Sequence, residues 1–408
     1  MSAAGWMRLL GLVGPPQAAS HPVTGAFAEP PVVAWVRPLP APESASPVRS
    51  ERGQPVFHDG SLYMGSSVDD ALLVLDPSNG ALRRRLPAGA PVQAAPVVGP
   101  DRVWFSDTAG YTWCYRLSDG AMLWKHFSGA PLLDSPTVSD GSVYVTNVDD
   151  VVFALNASTG ELLWRHAVQL DPGRHAELEL FGAPSPTVTS ELVLTGHSDG
   201  TLVALRRADG EPVWQRRVGQ GRYPDLIAPA VVIEDPEHVV GDAVLTMGYA
   251  EPTLALGLDD RVVRWRLDEV GGAESVAREG SLVYIGGVDG KLRAVDTVDG
   301  EVRWTWDSGT SGALAEPVLT PAGVLIGASA GGLSLVNRAT GETVWSLALD
   351  HQLDGVSAAP AVAGDEAWVL TNAGNLVHLV SPGPRPAPDR LRATGETAPR
   401  GRKGPHGG

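Results

Sequence analysis

One serine in this chain lies in a pattern that could support nucleophilic catalysis. Residues 327–331 read Gly-Ala-Ser-Ala-Gly, the Gly-x-Ser-x-Gly arrangement that exposes a nucleophile at a strand-to-helix turn in serine hydrolases. Here another strand-like run follows Ser329, which takes a position that short turns hold elsewhere in the chain, at residues 146–149, 196–199 and 286–289. We therefore predict that Ser329 is a turn residue and not a nucleophile.

Acidic residues and histidines could bind a metal ion, but their spacing does not favour a site. The pairs Asp149-Asp150, Asp199-Gly200 and Asp289-Gly290 offer carboxylates, yet Asp-Gly is by itself a strong hairpin signal. No calcium-binding loop of the helix–loop–helix type occurs in the sequence, and no pair of histidines has zinc-site spacing. Phosphate loops and dinucleotide fingerprints are absent as well. We predict no catalytic residue and no metal site.

The elements that carry these turns repeat along the chain. Seven segments place a turn glycine four residues before a tryptophan, with Arg84 replacing the tryptophan in the first and Arg261 replacing the glycine in the fifth. The tryptophan positions are roughly 40–50 residues apart, a period typical of a radial array of repeated units. A wide aromatic ring fills the wedge between neighbouring units, and its indole N–H can reach a backbone carbonyl. We predict this inter-blade role for Trp124, Trp164, Trp214, Trp265, Trp304 and Trp345.

Each unit has the pattern of four short strands. In residues 135–166, three turn signals separate four runs rich in Val, Tyr, Leu and Phe. Eight such units begin near Pro55, Pro96, Pro136, Pro186, Pro229, Ser275, Pro317 and Pro360. The eighth lacks its fourth strand, which residues 32–36 can supply, with Trp35 as a further inter-blade tryptophan. The sequence thus predicts an all-β fold, an eight-bladed β-propeller of four-stranded antiparallel blades closed by an N-terminal strand.

Composition divides the chain into one long domain and two flanking segments. Residues 31–381 form the predicted propeller, residues 1–30 a signal-like or flexible segment, and residues 382–408 a disordered tail rich in Pro, Arg and Gly. The apolar run near the N-terminus is short for a secretory signal and has no cysteine for a lipid anchor. The single cysteine, Cys114, lies in an apolar run and does not decide the compartment. A formal charge of −16 argues against nucleic-acid binding, and nothing resembles a transmembrane span.

Residues 144–164 carry a specific resemblance. Their pattern, Tyr-Val-x3-Asp-x4-Ala-Leu-Asn-x2-Thr-Gly-x3-Trp, resembles the repeat named for pyrroloquinoline quinone (PQQ). One branch of that superfamily comprises quinoprotein dehydrogenases, which hold PQQ with calcium on the propeller axis and often stack a vicinal disulfide on it. The other branch is the BamB family, propeller lipoproteins of the outer-membrane β-barrel assembly machinery. One cysteine excludes the disulfide, so the resemblance implies the BamB branch and no cofactor, PQQ included.

The resemblance also indicates where a partner would bind. The long connection from Trp164 to Pro186 contains Leu178 and Leu180, which match two partner-contacting leucines of BamB, while Phe181 replaces the arginine that follows them. Asp225 is the nearest match to the acidic residues of the next inter-blade loop. The two leucines fit equally well an apolar anchor for a partner or ordinary packing between blades three and four.

The resulting functional prediction is a monomeric, non-enzymatic scaffold in the periplasm or cell envelope. Its expected partner is a protein, the barrel-assembly subunit of the outer membrane, and it is expected to assist outer-membrane protein assembly. Two alternatives stay open on the sequence: a PQQ-dependent quinoprotein oxidoreductase and a periplasmic ligand sensor.

Overall fold

The computed structural model describes residues 25–40, 51–167, 183–220, 223–234, 241–249, 251–268, 272–349 and 355–382. In these ranges the chain forms eight four-stranded sheets, and neighbouring strands are antiparallel. These same ranges contain no α-helix, and so none long and apolar enough to cross a membrane. The predicted all-β propeller of eight four-stranded antiparallel blades is confirmed.

The first four blades follow chain order. Blade 1 holds β2 (Val56–His58), β3 (Ser61–Met64), β4 (Ala71–Leu75) and β5 (Leu82–Pro87). Blade 2 holds β6 (Val97–Val98), β7 (Arg102–Ser106), β8 (Tyr111–Arg116) and β9 (Met122–Phe127). Blade 3 holds β10 (Thr137–Ser139), β11 (Ser142–Thr146), β12 (Val151–Asn156) and β13 (Leu162–Ala167). Blade 4 holds β14 (Thr187–Val188), β15 (Leu192–Gly196), β16 (Thr201–Arg206) and β17 (Pro212–Arg217).

The remaining blades continue in the same way until the last one. Blade 5 holds β18 (Val231–Ile233), β19 (Ala243–Thr246), β20 (Thr253–Gly257) and β21 (Val263–Leu267). Blade 6 holds β22 (Ala273–Glu279), β23 (Leu282–Gly287), β24 (Lys291–Asp296) and β25 (Val302–Asp307). Blade 7 holds β26 (Val318–Thr320), β27 (Gly323–Gly327), β28 (Leu333–Val336) and β29 (Thr343–Leu347). Blade 8 combines β30 (Ala361–Ala363), β31 (Glu366–Leu370) and β32 (Asn375–Val380) with β1 (Val32–Pro38).

Strand β1 closes the ring. It pairs antiparallel with β32, from Val32 opposite Val380 to Pro38 opposite Asn375, with an irregularity after Val33. Because β1 comes from the N-terminal side and the other three strands from the C-terminal side, the two sides of the chain share one blade. The pairing covers the edge of β32, which would otherwise be open to another strand. The predicted closure is confirmed.

Turn chemistry decides where the strands end. The Asp140-Gly141 turn joins β10 to β11, and both residues have positive φ values, 42° and 78°, as a two-residue type I′ hairpin requires. Ser329 lies in the turn between β27 and β28, where its N–H donates to the carbonyl of Ala313 at 2.9 Å. A strand follows this turn, so residues 327–331 do not form the strand-to-helix elbow of a hydrolase.

The hydrophobic core lies between neighbouring sheets. Tyr144 and Trp164 of blade 3 pack in one cluster with Val193 and Leu205 of blade 4. Comparable clusters join blade 4 to blade 5 and blade 6 to blade 7. Since apolar surface is removed from water at each such interface, the blades stabilise one another around the ring.

Most of the inter-blade tryptophans share one hydrogen-bond geometry. In four of them the indole Nε1 donates to the carbonyl of the residue three positions before the turn glycine of the next blade. The pairs are Trp124 with Ala157 (3.1 Å), Trp164 with Arg207 (3.0 Å), Trp265 with Thr297 (2.9 Å) and Trp304 with Arg338 (2.9 Å). Trp345 donates to the carbonyl of Phe27 at 2.7 Å, just before β1. Trp214 is buried and packs in the cluster between blades 4 and 5.

The turn glycine of a repeat contacts the preceding blade, whereas the tryptophan of the same repeat contacts the next blade. Gly160 has φ +72°, and a Cβ added there would lie 2.6 Å from the ring of Trp124 in the preceding blade. Glycine therefore meets two demands at once, a left-handed backbone and a close approach to an aromatic ring. This explains why the two residue types recur together along the sequence.

Arg84 performs the same task as the tryptophan that it replaces. Its Nη1 donates to the carbonyl of Leu117 at 3.1 Å, three positions before Gly120. A Cβ on Gly120 would meet the Arg84 side chain, so the aliphatic stem of Arg84 covers the glycine as a tryptophan ring does. The first interface is thus held by a guanidinium in place of an indole.

At the interface between blades 8 and 1, one tryptophan covers the turn glycine and another donates the hydrogen bond. Trp35 packs on Gly80 of blade 1, where an added Cβ would lie 2.8 Å from its ring, but its buried indole nitrogen has no hydrogen-bond partner among the described residues. The donor is Trp368 of β31, whose Nε1 lies 3.0 Å from the carbonyl of Pro77. The ring of Trp368 stacks between those of Phe57 and His378.

Candidate functional site

The segments that lead into the blades enclose a cavity of about 630 Å³. Lining residues come from seven blades and include Arg52 before β2, Asp134 before β10 and Glu316 before β26. A cavity reached from so many blades lies at the centre of the ring, and we call it the axial cavity. Its volume falls in the range of small-molecule sites in proteins.

Asp134 is anchored in the wall of the axial cavity by backbone donors. Its Oδ1 accepts the N–H of Ser135 at 2.8 Å, and its Oδ2 accepts the N–H of Ser185 at 2.7 Å. Burial raises the pKa of Asp134, although these hydrogen bonds and the Arg52 guanidinium act in the opposite direction. Ionisation of this carboxyl group therefore costs more than that of an exposed one.

Glu316 enters the same cavity from the opposite part of the ring. Burial raises the pKa of Glu316, and the negative charge of Asp134 raises it further. Within the described part of the chain, no hydrogen bond or ion pair reaches its carboxylate. The axial cavity thus holds two carboxyl groups, which repel one another when both are ionised, and one guanidinium.

Asp225 lies beside this cavity and inside the fold. Only 3% of its surface is exposed, and its backbone carbonyl accepts the N–H of Tyr249 at 3.1 Å. Tyr249 lines the axial cavity and packs edge-on against Tyr223. Asp225 therefore supports the cavity wall from within, and its carboxylate is not presented on a surface rim as the resemblance implies. The other predicted partner-binding residues, Leu178, Leu180 and Phe181, lie outside the described residues.

An acidic residue that the sequence analysis treated only as part of a turn joins blades 3 and 4. Asp150 has φ 57° and is fully buried, where the equivalent turns at Gly110 and Gly200 have glycine. Its carboxylate accepts the N–H of Ser198 at 3.0 Å and lies 3.5 Å from Nδ1 of His197. The signal was present in the sequence, since a non-glycine residue at a left-handed turn position needs a compensating contact.

The side chains of the axial cavity do not fit PQQ held with calcium. Calcium takes roughly six to eight oxygen ligands, whereas both carboxylate oxygens of Asp134 are already engaged by backbone N–H groups. No group of three or more His, Cys, Asp or Glu suited to a metal ion occurs in the described ranges. Cys114 is buried in the core and is the single cysteine of the chain, so no vicinal disulfide can form.

Comparison with known proteins identifies the family. A family model described as "Outer membrane protein assembly factor BamB" matches residues 101–305 and 254–383. The chain belongs to the BamB family.

Two curated relatives carry the same description. The protein of Legionella pneumophila is 28% identical over 202 residues, 50% of this chain and 52% of its own length. The protein of Pseudomonas aeruginosa is 25% identical over 200 residues, 49% of this chain and 52% of its own length. The match thus spans about half the length of these BamB relatives.

Solved structures share the propeller fold. BamB from Moraxella catarrhalis superposes with a TM-score of 0.67 at 15% identity, covering 86% of this chain and 99% of that structure. A quinohemoprotein alcohol dehydrogenase from Comamonas testosteroni gives a TM-score of 0.66 at 16% identity, covering 86% of this chain and 76% of that structure. At such identities the likeness concerns the fold alone, which this BamB structure and this dehydrogenase structure both share with the chain.

Proposed function

We propose that this chain is a non-enzymatic, monomeric scaffold that binds a protein partner and assists outer-membrane protein assembly on the periplasmic side of the cell envelope. The observation that carries the proposal is the BamB family match, which runs from residue 101 to residue 383. The propeller supports it physically, because a rigid ring presents the connections between its blades as a fixed binding surface. The partner is the barrel-assembly subunit of the outer membrane.

The connection between blades 3 and 4 is the proposed contact. Residues 168–182 are much longer than the link between blades 2 and 3 and include Leu178 and Leu180. The blades on either side are fixed to one another by the Asp150–Ser198 hydrogen bond and by the Trp164 indole. A long connection with apolar residues between two fixed blades is suited to binding a protein partner.

A double substitution tests this contact. Leu178→Ala together with Leu180→Ala should abolish co-purification of the barrel-assembly subunit from envelope extract. Anchor residues of this kind typically carry about 2 kcal/mol or more each. The melting temperature should change by less than about 2 °C, because a leucine that serves partner binding contributes little to the stability of the fold. Pull-down with mass spectrometry and a thermal melt measure the two quantities.

The matched control is Leu162→Ala together with Leu163→Ala on β13, two leucines that are 47% and 51% exposed. This pair should leave co-purification intact. If the Leu178/Leu180 variant instead loses roughly 4–10 kcal/mol of stability and still binds, the two leucines are core residues. The partner surface would then lie elsewhere on the ring.

We also propose that the protein works without PQQ. The axial cavity holds two carboxyl groups and a guanidinium in place of a calcium-binding set. Titration of the purified protein with PQQ and calcium should therefore give no quinone absorbance that remains bound after gel filtration. Retained quinone together with alcohol-dependent dye reduction would support the oxidoreductase alternative.

A further inference from the structure

We propose that the axial cavity binds a small organic cation, with its ammonium or guanidinium group held between Asp134 and Glu316. This inference does not rest on the proposed role in outer-membrane protein assembly. It rests on the volume of the cavity, on the distribution of charge around it and on the chemistry of its walls.

The charges in the axial cavity are not balanced. Its charged or titratable lining residues are Arg52, Asp134, Tyr249 and Glu316. Asp134 has backbone donors on both oxygens and the guanidinium of Arg52 in its field. Glu316 has none of these among the described residues, and its carboxylate faces the charge of Asp134. A bound cation would relieve the repulsion between the two carboxylates and provide Glu316 with a counter-charge.

The walls favour an organic cation over a bare metal ion. Apolar side chains, including Leu133, Ile227 and Val276, line the cavity together with the amide of Gln93. A cavity of about 630 Å³ can hold a molecule with a hydrocarbon body, which these side chains would remove from water. A calcium or magnesium ion needs more oxygen ligands than two carboxyl groups provide. An ammonium or guanidinium group needs only charge-assisted hydrogen bonds.

Calorimetric titration of the full chain with agmatine and with spermidine tests this assignment. We expect saturable binding at one site per chain for at least one of the two probes. Glu316→Gln should weaken that binding about tenfold or more, since it removes a charge-assisted hydrogen bond at the site. Glu316 is an exposed residue that lines the cavity, so the variant should melt as the parent does.

The matched control is Glu191→Gln, which removes the same charge from an exposed turn of blade 4. It should bind the probes as the parent protein does, which separates a local site from a general effect of the acidic surface. Equal weakening by the two substitutions, or binding that Glu316→Gln leaves unchanged, would overturn the proposal. Saturable calcium binding with no binding of either amine would overturn it as well.

The pH dependence provides a second readout. The pKa values of Asp134 and Glu316 are both raised by burial, so these groups take up protons at a higher pH than exposed carboxyl groups do. Affinity for the cation should therefore be full at neutral pH and fall as the pH decreases through those raised values. Affinity that falls only at the pH where exposed carboxyl groups take up protons would contradict the assignment.

Discussion

A chain that lacks residues 1–38 should lose its cooperative thermal transition and aggregate. The deletion removes β1, whose pairing with β32 closes the ring, and leaves β32 as an open sheet edge next to exposed core. It also removes Phe27, which is fully buried and whose carbonyl accepts the indole N–H of Trp345. Two interfaces, between blades 7 and 8 and between blades 8 and 1, are therefore weakened together. Differential scanning calorimetry and light scattering measure the effect.

The control is a chain that begins at Gly25. It keeps all of β1 and the Phe27 contact with Ser381, whose Oγ accepts the Phe27 N–H at 2.9 Å, and should melt as the full chain does. A synthetic peptide of residues 25–40, added to the chain that lacks residues 1–38, should restore part of the transition because it provides the missing strand. If the chain without residues 1–38 melts like the full chain, β1 does not hold the ring closed in solution.

The blade count and the closure could be predicted because they depend on local signals. A turn glycine and a tryptophan four residues later mark five of the units, two more keep one of the pair, and strand alternation fills the space between them. The hydrogen bonds across the interfaces are harder to predict because their acceptors are backbone carbonyls. Ala157, Arg207 and Thr297 have nothing in common as residue types, yet their carbonyls occupy one position in the turn. Residue type at the acceptor position therefore carries no signal.

The replacement of one hydrogen-bond donor by another is hard to predict for the same reason. Arg84 keeps the interface of blades 1 and 2 because any side chain that presents an N–H at that point can bond the carbonyl of Leu117. Trp368 replaces Trp35 as the donor at the last interface because its ring reaches Pro77 from a different strand. Both replacements of a donor depend on three-dimensional distances, which the repeat pattern of the sequence does not contain.

The axial cavity could not be predicted for a related reason. Arg52, Asp134 and Glu316 are far apart in the sequence, belong to different blades and form no motif. Only the closed ring brings them around one space. Asp225 is a position that the family resemblance did predict, but it is buried here, and its backbone carbonyl bonds the N–H of Tyr249. Matching residue types along a chain does not establish which of them are exposed.

Replacing Trp164 by alanine should lower the free energy of unfolding by about 3–5 kcal/mol, as for other buried aromatic residues. Trp164 is 8% exposed, packs against Tyr144 with ring centroids 6.0 Å apart, and donates to the carbonyl of Arg207. The substitution leaves a cavity between blades 3 and 4 and an unbonded carbonyl at its edge. Chemical denaturation monitored by the fluorescence of the remaining tryptophans measures the loss.

Three matched variants separate the contributions at this interface. Leu163→Ala, next to Trp164 but 51% exposed, should cost less than about 1 kcal/mol. Trp164→Phe keeps most of the packing and should lose mainly the hydrogen bond, about 1 kcal/mol. Arg84→Ala should also cost much less than Trp164→Ala, because Arg84 is partly exposed and water can replace its bond to Leu117. If Trp164→Ala is no more costly than Leu163→Ala, the blades are held together by the surrounding aliphatic clusters, and the repeated tryptophan serves the turn glycine of the next blade instead.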